Sequence, residues 1–193
     1  YMLTIVVGLS IHFIIVLPLL FYLLTGIHPR KHFSAMSSAL VTAFATSSSN
    51  ATLPVTMRCI EQNASVSNKV SSFVLPMGAT INMDGTALYE CAGVIFISQV
   101  LGIDLTITQQ FIIVITALLA SIGAAGIPSA GLVMIFIVTQ AVGFQDADVA
   151  VIIGRMLADD WPLDMMRTMV NIFSDSIGAS VIAKSEGETL YPN

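Results

Sequence analysis

The sequence predicts an all-α membrane protein. One transmembrane helix leads, and behind it two units, each a re-entrant helical hairpin followed by an interrupted transmembrane helix, form an inverted repeat. Three observations carry that prediction. Of 193 residues, 55% are hydrophobic and 10% charged, whereas soluble domains carry about 25% charged residues; mean hydropathy is +0.88. Two long apolar runs break at stretches of small residues, and two more carry carboxylates and amides inside them. Outside the last span the Lys and Arg residues can all be placed on one side and the acidic loops on the other, as the positive-inside bias orders multi-pass proteins. A net charge of −5 and a pI near 4.9 argue against nucleic acid as a partner. Cys59 and Cys91 sit in apolar context and read as reduced packing residues.

Residues 2–25 contain no charge and are long enough to span a bilayer. They lack a basic leader, so they do not read as a signal peptide. Pro18 predicts a kink, and His12 reads as a packed residue on an apolar face. Residues 33–62 have two apolar arms around a polar middle, Thr46 to Pro54. A single crossing would set Arg30 and Lys31 opposite Arg58 and Lys69, whereas a segment that dips in and returns puts all four on one side. Hydroxyls and a proline at the tip favour the second arrangement, re-entrant hairpin 1, because irregular backbone at membrane depth needs protein or a cavity around it.

Residues 70–101 form a span interrupted by Asn82-Met83-Asp84-Gly85-Thr86. Unwinding there frees carbonyls as hard oxygen ligands for a small cation. Residues 107–142 repeat the hairpin pattern, with arms Phe111 to Ser121 and Leu132 to Val142 around a tip from Gly123 to Gly131. Their acidic flanks, Asp104, Asp146 and Asp148, predict that hairpin 2 enters from the opposite side. Residues 146–185 form the last span. At the helical period, Asp160, Asp164, Arg167, Thr168, Asn171 and Asp175 fall on one side, with Met165, Met166, Met169, Val170, Ile172 and Phe173 on the others. Buried carboxylates, a guanidinium and an amide in a membrane helix mark function. Residues 1–185 thus read as one transport core and residues 186–193 as a disordered tail. Interruptions at matching places in oppositely oriented units point to a midplane site in a secondary transporter. The chain offers no nucleophile–base pair or His-rich metal set, so it does not read as an enzyme.

Four motifs, SSSNATLP at 47–54, NMDGTALYE at 82–90, SIGAAGIPSAG at 121–131 and LDMMRTMVN with Asp175 at 163–175, resemble the glutamate/aspartate transporter family of dicarboxylate/amino acid:cation symporters. The resemblance implies sodium-coupled uptake of L-aspartate or L-glutamate by an elevator-like movement of this core. It also implies a multi-pass plasma-membrane protein with a cytoplasmic C-terminus, lipid around it, and a chain roughly twice as long whose other half holds the scaffold helices of a homotrimer. By resemblance, Arg167 grips the substrate's side-chain carboxylate through paired hydrogen bonds, Asp164 takes its ammonium, and Asn171 and Thr168 take the α-carboxylate and neighbouring groups. Ser48, Ser49 and Thr86 complete the pocket, and the Ile127 to Gly131 backbone closes over it.

For sodium ions, the resemblance implies one site of Asp175 and Asn171 with the Gly78 and Asn82 carbonyls. A second uses backbone of Thr80, Ser121 and Ile122 near the Met83 thioether. Asp84 and Asn82 supply part of a third, completed by the other half. Glu90 stands where animal members carry a glutamate and couple protons, so it is expected to carry a proton with the substrate. The chain departs from the family in one respect. Many members hold a second Arg beside the Ser run or two residues before the motif Arg, and here Ser47 and Met165 occupy those places. Readings that compete with a carrier are a channel-like protein, a neutral amino-acid or dicarboxylate carrier of the same family, and a core that binds without transporting.

Overall fold

The computed structural model describes residues 1–124 and 128–191, with Asp146 described by its backbone alone. Among the described residues all regular structure is helical. The first apolar run is one rod from Met2 to Thr25, long and apolar enough to cross a membrane. It comprises α1 (Met2–Ile11), a π-helical turn (His12–Val16) and α2 (Leu17–Thr25). The Leu17 N–H reaches the His12 carbonyl five residues back. This wider turn stands immediately before Pro18, whose ring would crowd the carbonyl of the preceding turn in a regular helix.

The run 33–62 is contained in two helices, α3 (Pro29–Thr46) and α4 (Ser49–Ala64), packed against each other as a helical hairpin. The chain reverses in two residues. Ser47 takes a left-handed conformation (φ 49°) as its N–H closes α3 on the Ala43 carbonyl, and Ser48 is extended with its hydroxyl accepting from the Ala51 N–H. A serine run suits this turn because the hydroxyl satisfies an N–H that the first turn of α4 leaves unpaired.

The next span is α5 (Asn68–Ile81) followed by α6 (Asp84–Val100), so the interruption narrows to Asn82 and Met83. Asp84 starts α6 and accepts from the Gly85 N–H at 3.0 Å, where a carboxylate is favoured by the helix dipole; that is why the helix resumes earlier than the motif suggests. Helix α7 (Ile107–Ile122) begins with a Thr106–Gln109 capping box and pairs with α8 (Ala130–Ala141) as a second helical hairpin. Helix α9 (Asp146–Ser185) runs 40 residues without a break, Pro162 included. Among the described residues it touches every other helix except α7, so it is the axis on which they are assembled.

Polarity is inverted relative to a soluble domain. Leu3, Ile14, Leu23, Val41, Phe111 and Trp161 point outward, while Asp160, Asp164, Arg167, Asn171, Asp175 and Glu90 are buried. In water that arrangement would be unstable; with an apolar solvent outside it is the favourable one.

Residues 186–191 correct the expectation of a disordered tail. Leu190 and Tyr191 are buried, Glu188 accepts from the Ser67 N–H (2.8 Å) and hydroxyl (2.5 Å), and the Tyr191 N–H donates to the Ala64 carbonyl. The short polar composition of the segment hid two anchors, one aromatic and one carboxylate, whose partners lie in the α4–α5 turn. Residues 192 and 193 fall outside the described residues.

Candidate functional site

The polar side of α9 faces α6, α8 and the tip between α3 and α4, and its centre is Arg167. The guanidinium is buried to 2% exposure. Its Nε donates to Asp164 Oδ1 at 2.7 Å and its Nη1 to Asp160 Oδ1 at 3.1 Å. Its face lies 4.2 Å above the Tyr89 ring centroid, and the Tyr89 hydroxyl donates to the same Asp160 oxygen at 2.8 Å. Nη2 stands 2.7 Å from Asp164 Oδ1 without a directed hydrogen bond, and Asp160 Oδ2 has no partner among the described residues. A buried guanidinium needs compensating charge and hydrogen bonds. Two carboxylates and an aromatic face supply them, leaving one N–H edge for a further acceptor.

Asp164 is engaged on both oxygens, because Oδ2 accepts from the Ser129 N–H at 2.8 Å. That bond holds the start of α8 against α9. Gly131 makes the approach possible, since a Cβ there would lie 2.9 Å from Arg167 Nη1. Around Arg167 the walls enclose a cavity of about 10 Å³, bounded by Ser47, Ser49, Thr86, Gly131, Thr168 and Asn171 among others. A cavity of that size accommodates about one water.

Asn171 is fixed from α6. Its Oδ1 accepts from the Gly85 N–H at 2.8 Å and its Nδ2 donates to the Thr86 hydroxyl at 3.0 Å; the Gly85 donor sets which way the amide points. Further along α9, Asn82 Nδ2 donates to Asp175 Oδ1 (2.9 Å) and to Ser174 Oγ (2.7 Å), and Ser174 donates to Asp84 Oδ1 at 2.9 Å. Asp84 Oδ2 lies 2.6 Å from His12 Nε2. Gly78 presses on the same cluster, where a Cβ would stand 2.6 Å from Asp175 Oδ1. The Asp84 and Asp175 carboxylates thus meet the Ser174 hydroxyl and the Asn82 amide at the unwound Asn82-Met83 step, with the amide turning its Nδ2 toward them and the Gly78 carbonyl accepting from the Asn82 N–H.

The structure brings together Asp164, Arg167, Thr168, Asn171, Thr86, Ser49 and Gly131 at the cavity, and Asp175, Asn82, Gly78 and Asp84 in the neighbouring cluster. Ser48 is committed to capping α4. Thr80 is exposed and bonds the Met77 carbonyl, Ser121 is buried and bonds the Leu118 carbonyl, and the Ile122 side chain is exposed; α5 and α7 touch. Ile127 lies outside the described residues. Glu90 is fully buried on α6, and neither of its carboxyl oxygens has a partner among the described residues.

Three participants escaped the sequence reading. Ser47 lines the cavity, although it drew notice only as a place where an Arg is missing. Ser174 bridges Asn82 and Asp84; its position next to Asp175 was the available signal. His12 is not a packed core residue but the partner of Asp84. The signal was that His12 is the lone basic side chain in the first span, and an intramembrane carboxylate calls for a partner.

Residues 1–185 match the model of the sodium:dicarboxylate symporter family. The chain is 52% identical over 184 residues to excitatory amino acid transporter 3 of Mus musculus, covering 95% of this chain and 34% of that protein. Against excitatory amino acid transporter 1 of Rattus norvegicus it is 52% identical over 182 residues, 94% of this chain and 33% of the relative. Excitatory amino acid transporter 3 of Homo sapiens is 50% identical over 184 residues. The chain therefore spans about a third of the length of these relatives, which are longer than the twofold expected from the motifs. With its helical hairpins, its buried Arg167 and its matched motifs, the chain belongs to the sodium:dicarboxylate symporter family.

Proposed function

We propose that this chain is the substrate-carrying core of a sodium-coupled carrier for an acidic amino acid. The observation that carries the reading is Arg167, buried between Asp160 and Asp164 with an N–H edge toward a cavity walled by hydroxyls and an amide. A guanidinium with a free edge selects a carboxylate, Asp164 offers a counter-charge for an ammonium, and the two together favour an amino acid with an acidic side chain. The relatives, excitatory amino acid transporters by name, point the same way.

A cavity of about 10 Å³ does not admit an amino acid. Loading would therefore need the Ser129–Asp164 bond to open and the start of α8 to move away from α9. Asp175, Asn82, Gly78 and Asp84 would hold sodium, with Asn171 shared between cation and substrate and Thr80, Ser121, Ile122 and Met83 supplying a second cation position. Glu90 would move a proton with the substrate.

Helix lengths support the membrane placement. At about 1.5 Å per residue, α7 (16 residues) and α8 (12 residues) reach about 24 and 18 Å, short of the roughly 30 Å hydrocarbon core. Such helices suit hairpins that enter and return from one face. The core would sit in the plasma membrane with its C-terminus cytoplasmic, move in an elevator-like manner, and trimerise only through helices of the longer protein.

Calorimetric titration of L-aspartate and L-glutamate into the chain in lipid nanodiscs, with and without sodium, tests the proposal. Sodium-dependent binding that disappears in Arg167→Ala is the expected result. Binding of equal strength without sodium would overturn the coupling, and binding retained in Arg167→Ala would overturn the site.

A further inference from the structure

The tail beyond α9 forms contacts that the carrier reading does not use. Glu188 grips the α5 N-terminus through both of its oxygens, one taking the Ser67 N–H and the other the Ser67 hydroxyl. Tyr191 pairs its N–H with the Ala64 carbonyl at the end of α4. Its hydroxyl lies 2.5 Å from Nδ1 of His32, in the first turn of α3, and His32 Nε2 lies 2.8 Å from Ser176 Oγ on α9.

The order of donors in this chain is fixed by its last member. Ser176 donates to the Phe173 carbonyl at 2.7 Å, so it accepts from His32 Nε2–H. Nδ1 of a neutral imidazole is then an acceptor, and the Tyr191 hydroxyl donates to it. Burial pushes the Tyr191 phenol up to about 12, which keeps that donor in place. His32 is fully buried and stacked on Phe21 at 4.7 Å. Without the Tyr191 hydroxyl, its Nδ1 would be a buried polar atom with no partner.

We propose that residues 186–191 are a strap that ties the base of the α3–α4 hairpin to the C-terminal end of α9. The two ends of that hairpin do different things. Its tip carries Ser47 and Ser49 on the cavity, and its base, about 27 Å away along the 18 residues of α3, is held by the strap. A strapped base leaves the hairpin moving as one body with α9, the helix that bears Asp164 and Arg167. A released base lets α3 and α4 pivot away from it. The tail is therefore a place where a binding partner or a change at Tyr191 would act on the cavity from the far end.

Hydrogen exchange followed by mass spectrometry on the full chain in lipid nanodiscs tests the strap, with Glu188→Gln and Tyr191→Phe as separate variants. Each removes or weakens polar contacts while keeping side-chain size. The expected result is exchange faster by roughly tenfold, the scale of one buried hydrogen bond, across residues 29–35 and 60–71, with residues 107–122 unchanged. Faster exchange confined to residues 186–191 would show a tail that rests on the protein without holding it, and would overturn the proposal. So would unchanged exchange, or an increase spread equally over α7, which would make the tail a general stabiliser.

Discussion

Arg167 is the residue on which most of the site's energetics turn, because its charge is buried and its partners are few. Removing one partner of a buried ion pair leaves the other charge uncompensated, at a cost of about 3–5 kcal/mol. Asp160→Ala should therefore lower thermal stability well beyond Tyr89→Phe, which loses one hydroxyl bond worth about 1 kcal/mol and keeps the ring under the guanidinium. Unfolding scans of both variants in one detergent check the ranking; equal effects would mean that Asp160 is not the guanidinium's support. Gly131→Ala is a sharper probe of function than of stability. A methyl group 2.9 Å from Nη1 and 3.1 Å from Cζ pushes the whole guanidinium off its place, so aspartate affinity should fall at least tenfold, with a smaller loss of stability through the Nη1–Asp160 bond. Glu90→Gln, in a full-length carrier, should abolish the fall of uptake with rising pH between about pH 6 and 8 that a co-transported proton imposes. Uptake that is already flat across that range in the parent would exclude the proton.

At the level of elements, the two hairpins are held differently. The α3–α4 hairpin is closed at its turn by its own serine cap and met at its base by the tail, whereas α8 is fastened to α9 at its tip by the Ser129–Asp164 bond. Ser129 adopts φ 58°, a left-handed conformation that a β-branched residue resists by about 1–2 kcal/mol. Ser129→Val should consequently raise the population with the tip lifted, read as faster thiol labelling of a cysteine placed at Ser49. Labelling no faster than in the parent would mean that the tip is held elsewhere. At the other end, burial lifts the Tyr191 phenol above a surface phenol. Its raised value means that the docked tail is favoured below about pH 10 and loses that advantage as pH rises toward about 12, which phenolate absorbance together with exchange of the Ala64–Ser67 turn would record.

These contrasts explain what the sequence could and could not disclose. The stripe from Asp160 to Asp175 was legible because six polar groups at one helical period, in a chain this apolar, have no solvent to face. The breaks at Ser47–Ser48 and Asn82–Met83 were legible from local chemistry, although the second proved narrower once Asp84 capped its own helix. The docking of Glu188 on Ser67, 121 residues away, and of His12 on Asp84, 72 away, left no periodic trace. Single long-range pairs are written in no local pattern.

For the whole molecule, burial sets the requirements. Apolar side chains cover the outside, so the fold depends on an apolar surround, and unfolding in short-chain detergent should occur well below the temperature found in lipid.

The ion pairs around Arg167 also fix a sum. One guanidinium stands against two carboxylates, Asp160 and Asp164, and Asp175 and the His12-paired Asp84 lie beside them, so acidic groups outnumber basic ones in the closed cluster. An acidic amino acid arrives with a net negative charge of its own. Placing it there without other ions would concentrate like charge in a medium that screens poorly. On the proposed function, cations would be not passengers beside the substrate but the means by which the occupied site approaches neutrality. A ligand without the second carboxylate should accordingly bind with a weaker dependence on sodium, even where its own affinity is low.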